Sequence, residues 1–253
     1  MNSSRRILNT FRQFGLDPLV TFKAFTNMPK FLLDYSRFCK LRPNQKIYIS
    51  PALGDFKESS GSARGHYFWQ DLICARWIFR ENPNVHLDLG SRVDGFICHL
   101  LTFTNVEILD IRPLNIDIPG LTSRIVDAQL GLSALSAKYQ SVSSLHSIEH
   151  FGLGRYNDPL DVDGHLKGIK NLSETVELGG VMYVSFPIGR PQIEFNSQRI
   201  MDPLWAVETL TDFSLEEFVL IPWTDPPRFG LDPSEVDHKI NGQCGLYRMR
   251  RVR

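Results

Sequence analysis

The chain has 253 residues, with 28 Lys and Arg against 28 Asp and Glu, and it is 42% hydrophobic and 22% charged. That length supports one large domain, or a domain with an extension, around a sizeable core. The composition is that of a globular protein, not a disordered one, and zero net charge argues against nucleic acid as the main partner. No window reaches the roughly 20 apolar residues of a membrane span. The opening MNSSRRILNTFRQFG carries a charge pair with no apolar run behind it, so it does not read as a secretion signal. Cys39, Cys74, Cys98 and Cys244 are scattered and form no C-x-x-C pair. They read as free thiols in a reducing, cytoplasmic setting, and not as a disulfide scaffold or a zinc ribbon.

Residues 1–64 read as an N-terminal helical extension. Asp17-Pro18 caps the run LVTFKAFTN. After Pro29, the run FLLDYSRFCKL places Phe31, Leu32, Tyr35, Phe38 and Cys39 at helical spacing, so two short amphipathic helices are expected. They cap the main core or, on a sharper reading, form a lid or a membrane-surface pair. IYIS at 47–50 reads as an edge strand, and LGDFKESSGSARG at 53–65 as a mobile loop.

Residues 65–253 read as an α/β domain. HYFWQDLICARWIFREN forms one long helix with Phe68, Leu72, Ala75, Ile78 and Phe79 on one face, and His66 and Tyr67 at its start are placed to cover a pocket. Strands follow at 85–90, 106–111, 123–128, 141–148 and 179–189, with helices at 96–103, 165–177 and 203–213. Strands alternating with helices of this length imply right-handed βαβ units and a mostly parallel sheet with helices on both faces. Two late strands, 218–223 and 243–252, are expected to pair antiparallel at the sheet edge. The terminal RMRRVR reads as an edge strand whose charges discourage further pairing.

In an open α/β sheet the ligand sits beyond the carboxyl ends of the strands, where strand order reverses. The first strand ends in Asp88-Leu89-Gly90 and runs through Arg92 and Gly95 into a helix. Such a turn lets backbone approach a nucleotide-like ligand and offers free N–H groups. Asp110 ends the second strand, placed to accept hydrogen bonds from both hydroxyls of a ribose. Asp127-Ala128 ends the third, where a carboxylate can take an exocyclic amine. Arg92 occupies the middle glycine of a G-x-G-x-x-G fingerprint, which favours a nucleoside ligand without a pyrophosphate.

Five segments follow one another as in class I S-adenosylmethionine-dependent methyltransferases: HLDLGSRVDGF, ILDIRPL, IVDA, SLHSIEHFGLGRY and LGGVMYVSFPIG. GHYFWQDL at 65–72, SSLHSIEHFGLGRYNDPLD at 143–161 and SFPIGRPQIEFNSQRI at 185–200 resemble the signature blocks of the methyltransferase-like family known as domain of unknown function 268. The resemblance implies a Rossmann-like, seven-stranded class I methyltransferase sheet with an inserted antiparallel last strand, and a setting in surface polysaccharide or glycan synthesis. It implies S-adenosylmethionine as cofactor, with Asp88 and Gly90 in the first motif, Asp110 as the ribose acid and Asp127-Ala128 beside adenine. The family's first motif has glycines two, four and six residues after its acid, and here Arg92 and Asp94 stand at the second and third. Arg92 either narrows the methionine pocket, or binds its carboxylate, or marks a site that no longer takes the cofactor.

His146-Ser147-Ile148-Glu149-His150 spells H-x-x-E-H, but it follows a β-like run and precedes Gly152 and Gly154, so no zinc site is expected. Methyl transfer to a hydroxyl needs a base, and Glu149 or His150 is placed for it. His146, and Arg155, Tyr156 and Asp158 in the loop 151–165, suit a sugar: aromatic stacking with acids that accept hydroxyl hydrogens. Arg190, Asn196 and Arg199 are candidates for an anionic group such as a sugar phosphate or carboxylate.

The expected function is methylation of a sugar or glycan hydroxyl, with a glycan, nucleotide sugar or lipid-linked sugar as acceptor and with peripheral membrane contact. The alternative is a methyltransferase-fold protein that does not methylate, either a binding or scaffold subunit or another transferase of glycan metabolism. Basic residues gather at the N-terminus and in the last six residues, a side from which an anionic acceptor is expected to approach.

Overall fold

The structure is a computed structural model that describes residues 15–57, 63, 65–133, 135, 137–224, 226–239 and 242–253. The N-terminal charge pair and positions 58–62 and 64 of the expected mobile loop lie outside the described residues. The chain divides into two compact units, Met1–Ser62 and Ala63–Arg253.

The first unit is built on α1 (Pro18–Leu41), a single 24-residue helix where the sequence had predicted two. Asp17 caps it, accepting the N–H groups of Leu19 at 3.0 Å and Val20 at 3.2 Å. Pro29 lies inside it. A proline removes one backbone donor and crowds one carbonyl, and the bonds on either side carry the helix through. Residues 47–50 form no strand, contrary to expectation. An isolated extended run without a ladder partner has no backbone bonds to hold it.

The second unit opens with α2 (His66–Glu81), stopped by Asn82 in the left-handed region. Among the described residues ten strands follow: β1 (Val85–Leu89), β2 (Asn105–Asp110), β3 (Leu121–Ile125), β4 (Tyr139–Leu145), β5 (Val176–Ile188), β6 (Gln192–Glu194), β7 (Gln198–Ile200), β8 (Phe213–Ile221), β9 (Arg228–Phe229) and β10 (Gln243–Arg251). A π-helical turn (Val93–Ile97) and the one-turn α3 (Cys98–Leu100) link β1 to β2. The helices α4 (Gly164–Ser173) and α5 (Trp205–Thr209) precede β5 and β8. The main sheet has the order β3-β2-β1-β4-β5-β10-β8-β9, and β6 and β7 form a separate hairpin. The five strands from β3 to β5 are parallel, while β10 runs antiparallel to both neighbours. Strand order therefore reverses between β1 and β4.

Alternation along β5 divides its side chains between two cores. Met182, Val184 and Phe186 join Leu87, Leu89, Val142, Ile169 and Tyr247 on one face. Val181 and Tyr183 join Cys74, Trp77, Ile78, Phe96, Ile108 and Leu246 on the other, the face that α2 covers. The α2 face differs from the predicted one. Phe79 is 61% exposed and Phe68 42%, while His66, Gln70, Asp71, Cys74 and Trp77 turn inward. Polar residues on the covered face are the first sign that α2 walls a site as well as a core.

Two further expectations are corrected. β3 ends at Ile125, so Asp127 lies two residues past the strand and not on it. β10 is an interior strand, not an edge. Two of its arginines are engaged in ion pairs: Arg248 with Glu81, Glu216 and Glu217, and Arg250 with Glu81 and Glu216. Arg251 donates instead to the carbonyls of Ser173, Val176 and Arg253.

Tyr247 is fully buried, stacked on Phe186, and its hydroxyl donates to the Pro203 carbonyl at 2.7 Å. Tyr247→Phe keeps the ring and leaves that carbonyl unpaired, a loss of about 1–2 kcal/mol. Urea denaturation should show the midpoint fall; an unchanged midpoint contradicts this reading of the core.

Candidate functional site

The turn after β1 is folded around a buried acid. Asp88 is inaccessible and accepts three hydrogen bonds: from the Ser91 N–H at 2.9 Å, the Ser91 hydroxyl at 2.8 Å and the Ser143 hydroxyl at 2.5 Å. The Ser143 oxygen in turn lies 2.8 Å from His86 Nε2, and His86 Nδ1 lies 2.7 Å from the Ser141 hydroxyl. Burial pushes the Asp88 carboxyl up to about 6, against the serine bonds that lower it, and pushes the His86 imidazole down to about 3. A neutral His86 therefore donates from Nε2 and accepts at Nδ1, a tautomer that this network assigns. The chain of four side chains ties β1 to β4 at the reversal point. It also takes Asp88 out of the cofactor set expected for it: Asp88 shapes the turn from beneath and lines neither cavity described next.

Gly90 follows at a φ of +78°, its N–H donating to the Leu109 carbonyl at 2.9 Å. A Cβ there would stand 2.1 Å from the Ser147 hydroxyl oxygen. Only glycine satisfies both the left-handed backbone and that approach. Two cavities meet at this residue. The first has apolar walls from Leu89, Ile111, Val126, Ala128 and Phe151, with Asp110 and Asp127 at its polar edges. The second lies under α2 and is walled by Tyr67, Gln70, Asp71, Ser91, Gly95 and Arg155. Gly90, Arg112, His146, His150 and Tyr156 line both.

Asp110 is engaged by Arg112. Its Oδ1 accepts the Arg112 N–H at 2.8 Å and Nε–H at 2.9 Å, and its Oδ2 accepts Nη2–H at 2.6 Å. One lone pair of Oδ2 is left for a ligand, so Asp110 can hold one ribose hydroxyl where two were expected. The Arg112 guanidinium also lies over the Tyr156 ring, 4.5 Å from its centroid. Asp127 accepts the Gln129 N–H at 2.9 Å and Nε2–H at 3.3 Å on Oδ1, so Oδ2 stays available to an amine. Ala128 lies beside it, buried. Arg92 reaches across to Asp94 in a bidentate pair, at 2.9 and 2.6 Å, on the exposed rim of the second cavity. Its charge is therefore already partnered.

The H-x-x-E-H run is a short 3₁₀ turn (Ile148–His150) entered through His146 at a φ of +49°. Glu149 points inward, inaccessible, with its Oε1 2.8 Å from His146 Nδ1, and it lines neither cavity. Burial pushes the Glu149 carboxyl up, and His146 and His150 more than reverse that, so it stays ionised. Burial opposes the His146 charge, but Cys244 and Glu149 outweigh it and hold the imidazole protonated well above its usual range. Glu149 is thus a counter-ion, which corrects its expected part as the base. His150 does face the cavities. Its Nδ1 lies 2.7 Å from the Ser197 carbonyl, to which it donates, and Arg155 Nη1 stands 3.1 and 3.2 Å from the two ring nitrogens. Burial lowers its affinity for a second proton; Glu149 opposes this and Arg155 adds to it, and the net direction is down. At neutral pH the ring is uncharged, with its lone pair on Nε2. No group of three metal-ligating side chains occurs among the described residues.

The remaining expected residues separate. Tyr156 and Arg155 line the site, and Asp158 does so while holding the N–H groups of Gly152 at 2.8 Å and Tyr156 at 3.1 Å. Arg199 is buried and donates to the carbonyls of Phe151 at 2.5 Å and Val162 at 3.3 Å, so it fastens the loop and meets no ligand. Asn196 sits in the exposed β6–β7 turn, and Arg190 lines a separate hollow with Gln192, His238 and Lys239. Gln70, Asp71, Arg112 and Gln129 were missed. The signal for Gln70 was in reach: a polar residue one turn after His66, on the side opposite Phe68 and Phe79.

The family described as "Caenorhabditis protein of unknown function, DUF268" matches residues 109–215. No curated protein matches the chain. Among solved structures the chain is similar to the N-methyltransferase NodS from Bradyrhizobium japonicum WM9 in complex with S-adenosyl-L-homocysteine. The identity is 13% and the TM-score 0.50, over 73% of this chain and 88% of that one. It is also similar to coclaurine N-methyltransferase bound to N-methylheliamine and S-adenosylhomocysteine, at 9% identity and a TM-score of 0.52, over 98% of this chain and 92% of that one. The fold is the Rossmann-like class I methyltransferase fold.

Gly90→Ala forces a left-handed alanine against Ser147, a strain of about 1–3 kcal/mol. Thermal unfolding should fall accordingly; a variant as stable as the parent contradicts the close approach of the two strand ends.

Proposed function

We propose that the chain is an S-adenosylmethionine-dependent methyltransferase acting on a sugar or glycan hydroxyl. The observation that carries this reading is the adjacency of the two cavities, which share Gly90 in their walls. On one side lie apolar walls with acids at the ends of adjacent strands, and on the other lies a neutral imidazole in a polar chamber. The residues fit the cofactor's adenosyl half. Gly90 admits the backbone contact, Asp110 Oδ2 and Asp127 Oδ2 remain open to a ribose hydroxyl and an adenine amine, and Leu89, Ile111 and Val126 flank a planar base.

S-adenosylmethionine, when bound, supplies a methyl group on a sulfonium that leaves as a neutral thioether. The chain's own residues do the rest. His150 Nε2 accepts the acceptor's hydroxyl proton as the new O–CH3 bond forms, while the Ser197 carbonyl keeps the imidazole in that tautomer. Tyr156, with Arg112 and Arg155 packed over its ring at 4.5 and 5.2 Å, adds an aromatic wall beside which a sugar ring can rest. Gln70 and Arg155 offer hydrogen bonds to its hydroxyls.

The second reading, a binding subunit that does not methylate, is favoured by one observation: Arg112 occupies most of Asp110, and Arg92 fills a glycine position of the first motif. Calorimetric titration with S-adenosylhomocysteine separates them. Micromolar binding, weakened about tenfold or more in Asp110→Ala, supports methyl transfer. No binding by folded protein at millimolar ligand leaves the second reading. Given binding, His150→Ala should cut turnover about a hundredfold or more at little change in affinity, with Glu149→Gln acting through stability. Because the His150 pKa is lowered, the base form is complete at neutral pH. Activity should be flat there and fall only on acidification below the ordinary imidazole range. A profile that still climbs above pH 7 contradicts this base.

The acceptor's setting is read from the first unit. Residues 1–62 hold ten Lys and Arg against four Asp and Glu, leaving eighteen against twenty-four in the remainder. On α1, Val20, Phe25, Met28, Leu32 and Phe38 share one arc, Lys23, Lys30, Arg37 and Lys40 share the opposite one with the exposed Leu19, Phe22, Leu33 and Leu41, and none of its residues is buried. No described helix is long and apolar enough to cross a membrane. A cationic amphipathic helix of this kind suits an anionic lipid surface, where a lipid-linked sugar would be met. The full chain should sediment with vesicles containing phosphatidylserine and not with phosphatidylcholine alone, and Phe25→Glu with Leu32→Glu should abolish this. Equal sedimentation with both vesicles contradicts it.

A further inference from the structure

Three arginines line the second cavity, and two of them are held by acids: Arg92 by Asp94 and Arg112 by Asp110. The third, Arg155, lies outside ion-pair distance of every carboxylate among the described residues. The acids around it are engaged elsewhere. Asp158 accepts the N–H groups of Gly152, Gly154 and Tyr156, and Glu149 holds His146. Asp71 accepts from Gln70 and is drawn toward its ionised form by the His146 cation.

The Arg155 guanidinium is nonetheless fixed. Its Nη1 donates to the Ser197 carbonyl at 2.9 Å and stands 3.1 and 3.2 Å from the two ring nitrogens of His150. Near-equal distances seat it against the imidazole between the nitrogens, and not on a single lone pair. The guanidinium carbon also lies 5.2 Å from the centroid of the Tyr156 ring. Among the described residues no hydrogen bond uses Nε or Nη2. A planar fork held in place with one edge open is preorganised for two oxygens of a carboxylate or a phosphate.

His150 is exposed to this charge directly. Around its ring stand Glu149, with Oε1 3.8 Å from Nε2, the Tyr156 ring at 5.8 Å, the Ser197 carbonyl and the charged His146. In the first cavity Arg112 and Asp110 face it as a pair, with Asp127 and Asp158 on the same walls. Glu149 favours a second proton on the ring, whereas Arg155 and His146 oppose one. An anion on Arg155 cancels part of that opposition, so the lone pair of Nε2 becomes more basic while the anion is seated.

We infer that Arg155 is the receptor for an oxyanion, a carboxylate or phosphate carried by the acceptor sugar, and that filling it strengthens His150 as a base. This rests on the reading of His150 above and narrows the acceptor to an acidic sugar. It also moves the anionic contact expected at Arg190, Asn196 and Arg199 into the chamber that holds the base.

The test follows the His150 imidazole by NMR pH titration of the full chain, with His150→Ala identifying its signals. The probes are glucuronate, glucose 1-phosphate and neutral glucose. In the parent an acidic sugar should raise the His150 midpoint by about half a pH unit or more, and glucose should leave it in place. A response to glucuronate alone assigns a carboxylate, and a response to glucose 1-phosphate alone a phosphate. Arg155→Gln should start from a raised midpoint and respond to none of the three. A midpoint that neither acidic sugar moves, or that glucose moves equally, overturns the assignment. So does an equal response in Arg155→Gln. None of these readouts needs the cofactor. A chain that gives the expected response and yet binds no S-adenosylhomocysteine keeps the anion site and loses the methyl-transfer reading; a chain that binds S-adenosylhomocysteine without that response loses the anion site alone.

Discussion

The carboxyl of Asp88 is shut off from solvent and held by hydroxyl and amide donors alone among the described residues, and the turn that opens the site is folded around it. Ser91 supplies two of its three hydrogen bonds and so bends the chain back after Leu89. Ser143 supplies the third from the adjacent strand and joins β1 to β4 where the strand order reverses. Everything above this point depends on it. Gly90 is forced into the left-handed region against Ser147, which leaves the backbone exposed to a ligand on both sides. Losing one of these donors would leave a buried charge under-satisfied, which costs more than the bond itself contributes.

From that junction the site reads as two chemically different rooms. The first is apolar, with acids held short of saturation by Arg112 and Gln129. The second is polar and holds the imidazole of His150 and the buried carboxyl of Asp71. The buried cation His146 stands between them, kept charged by Glu149 and stacked on His66 with ring centroids 5.5 Å apart. Two histidines four residues apart thus have opposite charge states. His146 gains a carboxylate directly on its ring, whereas His150 gains a carbonyl and an arginine.

The parallel strands and the acid that ends the second of them were legible because both follow from local pattern. The apolar runs gave the strands, Gly90 gave the turn, and Asp110 stands at the end of its strand as expected. What failed was whatever depends on partners remote in sequence. β10 looks like a charged edge until Glu81, Glu216 and Glu217 are brought beside it. Glu149 looks like a base until the φ of His146 turns it inward, and Arg199 looks like an anion receptor until the carbonyls of the 151–162 loop close on it. The inward face of α2 was misjudged because apolar count was weighed and polarity was not. Asp71 and Gln70 are buried there because a cavity, not a core, lies beneath them.

A nucleoside-bearing ligand seated across the β1–β4 reversal would be visible in a crystal structure of the full chain grown with S-adenosylhomocysteine. The adenine is expected between Val126 and the Asp127 edge, the ribose on Asp110 Oδ2, and the thioether above Gly90. A ligand seated elsewhere, or an unchanged Asp110–Arg112 pair with no ligand density at saturating concentration, would contradict that seating.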